Sequence, residues 1–178
     1  MRILLLTAAV SLLAAPAFAQ DAVEDDFVVP PVVMSTEHPN EEAVEPYEQS
    51  NAHAGAIPFE GTAMWEAFHG EEGVSRIVEA FVARNVADPR ISSTFVSHDL
   101  VRLRRTLKEQ FGYILGGPVT YTGRDMASSH RDLGLQASDM GALVENLQIA
   151  MSEEGVAFTA QNRFLAKLAP MRRDVVTR

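Results

Sequence analysis

Leu115-Gly-Gly-Pro-Val-Thr-Tyr-Thr-Gly123, followed by Arg-Asp-Met126-Ala-Ser-Ser-His130-Arg-Asp-Leu133-Gly134, is the stretch on which the reading of this chain turns. Gly116-Gly117 closes a helix, and Pro118 bars its continuation. Tyr121-Thr122-Gly123 then makes a turn, and Met126 to Arg131 reads as a brief helix bearing His130. Met126 stands four residues before His130 and Leu133 three after, so the three share one helical face. On spacing alone, a lone histidine beside Met and Leu is ordinarily a satisfied core residue. The sharper alternative is a neutral imidazole presented as a nitrogen ligand to a flat, apolar metal cofactor, and the surrounding chain decides between them.

Outward from that stretch, helical periodicity runs nearly throughout and strand signals are almost absent. Met64 to Phe68 makes a short first helix. After a turn at Gly70–Gly73, Val74, Ile77, Val78, Phe81, Val82 and Val86 mark a second, ended by Asp88-Pro89. Ser97 or Asp99 caps a third, on which Leu100, Leu103, Leu107, Phe111 and Ile114 recur at helical spacing. Beyond His130, Ser138 or Asp139 caps a helix with Met140, Leu143, Val144, Leu147 and Met151 on one stripe, closed by Gly155. Phe158, Phe164, Leu165, Leu168 and Met171 belong to a last helix, kinked at Pro170. The expected class is all-α.

The chain ahead of these helices is different. Arg2, the 13-residue apolar run Ile3–Ala15 and Ala17-Phe18-Ala19 form a Sec-type signal peptide pattern over 1–19. The run is shorter than the roughly 20 residues a membrane-spanning helix needs, so no membrane span is expected after cleavage. Cysteine is absent, which suits an oxidising compartment. A periplasmic or secreted location is the expectation. Residues 20–60 hold ten acidic residues, no Lys or Arg, and five of the nine prolines. Such chain buries too little apolar surface to offset its ordering entropy and reads as a disordered or extended tether. Residues 61–178 carry 14 basic and 14 acidic residues. The net charge of −9 therefore belongs to the tether, and the neutral remainder suits a single core without the basic patch nucleic acid requires. Arg102, Arg104 and Arg105 are interleaved with core leucines and read as a solvated face.

With this helix order on the page, the chain resembles a group I truncated haemoglobin from Met64 to about Val176. Val86-Ala-Asp-Pro-Arg90, Phe95, the glycine pair with Tyr121-Thr-Gly123, Met126, His130 and Leu133-Gly134 carry the likeness. The resemblance implies a two-over-two helical sandwich around haem b, reversible binding of O2, CO or NO, and His130 as the proximal iron ligand. Phe95, Met126, Met140, Leu147, Phe164 and Leu168 become candidate walls of the haem slot, with ordinary core burial as the competing reading of each. A backbone carbonyl is expected to accept from the second ring nitrogen of His130 and fix its tautomer.

The departures from the family pattern concern the opposite side of the iron. A tyrosine usually follows the phenylalanine of the second helix; here Phe81 precedes Val82. Two ligand-facing positions on the third helix, where glutamine is common, read Leu103 and Leu107. The distal pocket is thus expected to be apolar, lined by Phe81, Val82, Leu103, Leu107 and Phe111, and weak in O2 stabilisation. Thr106 and Tyr113 are poorly phased to reach the iron. His98, the one further imidazole near the third helix, reads as an exposed helix-start residue, and His69 occupies a turn position where the family has glycine. His38 and His53 fall in the tether and read as solvated. Haem-dependent NO detoxification or peroxidase-like chemistry is the enzymatic alternative, with room for a redox partner. A haem carrier or haem-free interaction module is the other.

Overall fold

A computed structural model describes residues 38–176; the signal-peptide pattern and the first part of the tether lie outside the described residues. The elements are α1 (Ala63–Ala67), α2 (Gly70–Ala87), a 3-10 turn at Ser92–Phe95, α3 (Leu100–Ile114), α4 (Met126–His130), α5 (Ala137–Glu153), α6 (Phe158–Leu168) and α7 (Arg172–Val175). Among the described residues there is no strand, and no helix is long and apolar enough to cross a membrane.

Local chemistry explains the boundaries. His69 takes a left-handed backbone (φ 61°), the conformation a glycine adopts freely, and its ring nitrogen lies 2.9 Å from Glu154. The chain enters α2 directly from it, so Gly70–Gly73 is the helix's first turn and not a preceding loop; Glu71 and Glu72 there complement the helix dipole. Asp99 caps α3 by accepting from the Val101 and Arg102 amides. Gly116 ends it at φ 84°, and a Cβ at Gly117 would stand 2.6 Å from the Trp65 ring, so the glycine pair serves both a turn and a close approach. At α5, Asp139 accepts from the Gln136 amide. Pro170 replaces the expected kink with a 3-10 turn over Ala169–Met171, after which α7 begins.

α2 is central, packing along α3 and α5, and α5 continues onto α6. The pairs α2–α3 and α5–α6 thus form a two-over-two sandwich. Its centre is aromatic: Phe164 stands edge-to-face with both Phe68 and Phe111 at 5.1 Å, and Phe111 lies 6.3 Å from Phe81. Around them Ile77, Val78, Val82, Leu147 and Met151 are fully buried.

The tether reading does not hold for 38–60. Glu41, its side chain 3% exposed, pairs with Arg102 and Arg105, and Ala54 is fully buried beneath the short helical turn Asn51–Ala54. His38 and His53 are half-buried rather than solvated. The arginine reading is corrected by the same contacts: Arg102 and Arg105 face the tether's acid, while Arg104 pairs with Glu79 on α2. Uncompensated acids on one segment and clustered cations on another supply the attraction that composition alone hid.

Candidate haem site

α3 and α4 carry most of the candidate side chains. On α3, Leu103 and Leu107 lie one turn apart, half-buried and packed against the edge of the core. Behind them Phe81 and Val82 of α2, Phe111 of α3 and Leu147 of α5 are buried in that core, as is Met126 at the foot of α4. Phe95 and Met140 are half-buried but lie outside the contiguous cluster. Leu103 and Leu107 on α3 and Met140, Leu143 and Val144 on α5 are apolar yet only partly buried, the side-chain chemistry that contact with a large apolar group uses.

His130 closes the five-residue α4, whose first turn is pinned by Asp125 accepting from the Ser128 amide at 2.9 Å. Its Nδ1 lies 2.7 Å from the Met126 carbonyl oxygen. A carbonyl can only accept, so Nδ1 carries the proton and Nε2 presents a lone pair. Burial holds the imidazole below its ordinary pKa, opposed by the Met126 bond and assisted by His98. A neutral, tautomer-fixed imidazole is the donor a haem iron takes. The nitrogen donor and the partly buried apolar side chains fit the chemistry of a haem.

The polar side chains nearest Leu103 and Leu107 are engaged elsewhere or exposed. The Thr106 hydroxyl donates into its own helix, to the Arg102 carbonyl at 3.0 Å. Tyr113 lines a surface cleft with Phe59, Thr62 and Pro118. His98 is exposed, as its position before α3 suggested.

Sequence reasoning passed over Gln110, buried at 6% and donating to the Ala54 carbonyl at 2.9 Å. It lies one turn after Leu107 minus one residue, the position of a core side chain, and a polar residue there signals a buried partner. Tyr121 was read only as a turn residue. Its ring is buried and its hydroxyl donates to the Arg124 carbonyl at 2.8 Å, beneath the chain that leads into α4.

The comparisons agree with this geometry. The model of the bacterial-like globin family matches residues 63–177. A group 1 truncated hemoglobin GlbN of Mycolicibacterium paratuberculosis is 29% identical over 118 residues, which span 66% of this chain and 87% of that protein. The group 1 truncated hemoglobin of Tetrahymena pyriformis is 26% identical over 113 residues, 64% of this chain and 93% of its own. The crystal structure of the Tetrahymena pyriformis protein in its Fe(III) form superposes with a TM-score of 0.62, covering 65% of this chain and 98% of that one. A Synechococcus 2/2 hemoglobin with covalently attached heme, 28% identical, gives 0.60 over 65% and 98%. The chain thus belongs to the bacterial-like globin family, and it shares that family's general capacity to bind haem and a diatomic gas.

Proposed function

We propose that the protein is an exported haem b globin that binds O2, CO or NO at an iron held by His130, with weak stabilisation of O2. The observation that carries this reading is the fixed tautomer of His130, whose Nδ1 is committed to the Met126 carbonyl and whose Nε2 is free. Haem supplies the gas-binding iron. The chain would supply the axial nitrogen from His130, and Val82, Leu103 and Leu107 as apolar side chains at the distal positions.

O2 held at a haem polarises toward negative charge and gains from a hydrogen-bond donor. The absence of such a bond costs about 1–3 kcal/mol, roughly tenfold to a hundredfold in affinity. CO is less polar when bound and loses less. The same argument disfavours NO conversion and peroxidase-like chemistry, both of which profit from polar distal groups. Export rests on the Sec-type pattern at 1–19 and the absence of cysteine.

The test is the ratio of CO to O2 affinity by ligand titration, with Leu107→Gln as the comparison. The reading predicts a high ratio that falls in the variant. A wild-type protein that already retains O2 tightly, or that turns over NO rapidly when oxygenated, overturns the weak-stabilisation claim.

A further inference from the structure

The segment ahead of the globin helices runs beside both α3 and the loop that leads into α4. At the start of α3, the Glu42 amide donates to Asp99 at 2.8 Å, and the Glu41 carboxylate receives Arg102 at 3.2 Å and Arg105 at 2.9 Å. Farther along, Arg124 donates to the Glu45 carbonyl at 2.9 Å with its guanidinium 4.9 Å above the Tyr47 ring. The Tyr47 hydroxyl donates to the Thr122 carbonyl at 3.0 Å, and the Tyr121 amide donates to Asn51 at 2.8 Å. These bonds tie the segment to the loop that delivers α4.

The last contact joins the segment to α3 and α4 together. Gln110 of α3 donates to the Ala54 carbonyl at 2.9 Å while its amide nitrogen lies 3.2 Å from the sulfur of Met126, the first residue of α4. Gly55 follows with φ 83°, and a Cβ there would stand 3.1 Å from Met126 and 2.9 Å from Met171. The backbone of the segment therefore presses on the foot of α4. That helix packs mainly on α7 and has no comparable packing on α3.

We infer that residues 41–55 form a positioning strap that holds α4, and with it His130, at a fixed spacing from α3, so that detaching the strap speeds haem loss. This rests on the haem reading above. The strap acts through position, not through contact with the iron. Its bonds are distributed over the segment, so one substitution loosens it and several release it.

The experiment uses the full chain carrying Glu41→Ala, Tyr47→Phe and Asn51→Ala together. Two quantities are measured: haem transfer to excess apomyoglobin, and hydrogen exchange of the haem-free protein. Transfer is expected to quicken by about tenfold or more as several hydrogen bonds are lost. Amides of 126–130 should lose protection while α2 and α5 keep theirs. The inference is overturned if 41–55 exchanges freely in the variant while α4 protection and haem transfer stay at wild-type values. Should the wild type take up no haem, the haem reading fails, and α4 exchange in the haem-free chain alone decides the strap. Should the triple variant lose α2 and α5 protection as well, Asn51→Ala alone is judged on the same readouts.

Discussion

The sandwich formed by α2, α3, α5 and α6 and the short α4 that carries His130 are built on opposite plans. The sandwich is held by long helices whose apolar stripes meet in an aromatic centre, with Phe68 and Phe164 almost wholly buried. α4 has five residues, one buried methionine and a half-open histidine, and depends on a cap, a carbonyl bond and neighbouring chain. A helix that short has no stability of its own in water. Global stability and the placement of His130 are therefore set by different residues, and substitutions should separate them.

The largest effect on the sandwich should come from Phe164→Ala, which removes the ring shared by Phe68 and Phe111. We expect a loss of about 3–5 kcal/mol in urea unfolding. A loss near zero would mean that the aromatic centre does not hold the two layers together. Leu107→Gln tests the face between the two regions: it should strengthen O2 binding by roughly tenfold to a hundredfold, read from O2 dissociation rates, with little change for CO. An unchanged rate would place position 107 away from the ligand.

Asp125→Ala addresses α4 alone. Removing the cap should cost about 1 kcal/mol, concentrated in faster amide exchange at 126–130, whereas a uniform rise across α2 and α5 would break the proposed separation. The smallest effect belongs to the sandwich's rim. Glu154 is lowered to about 2, chiefly by its bond to Arg76 and then by His69. A carboxylate depressed in the folded state stabilises above its unfolded value of 4.5 and loses that contribution as pH falls toward 2. The unfolding midpoint should thus decline with acid less steeply in Glu154→Gln than in the wild type. Equal slopes would show that this pair carries no linked stability.

The two regions also differ in how far sequence reveals them. Leucines and phenylalanines at helical spacing made α2, α3, α5 and α6 legible, because burial imposes the period directly. Gly116-Gly117 and Pro118 marked the end of α3 for equally local reasons, a left-handed turn and a missing amide. His130 was legible through its setting, and its bond to Met126 follows from their spacing along one helical turn. The strap was not legible. Its four acids and Pro46 match the composition of unstructured chain, and its order depends on Arg102, Arg105 and Gln110, all more than fifty residues away. Long-range pairing of this kind leaves no periodic trace in either partner. Phe95 and Met140 show the converse limit, since half-buried apolar side chains outside the core cluster look like core in a sequence.

On the proposed function, His130 holds the iron of a haem. Absorption spectra of the reduced wild type and His130→Ala, with and without CO, test it most directly. The account predicts a Soret band that sharpens and shifts with CO in the wild type, and a lost or displaced band in the variant. A haem-saturated wild type whose spectra are unchanged by His130→Ala would contradict it.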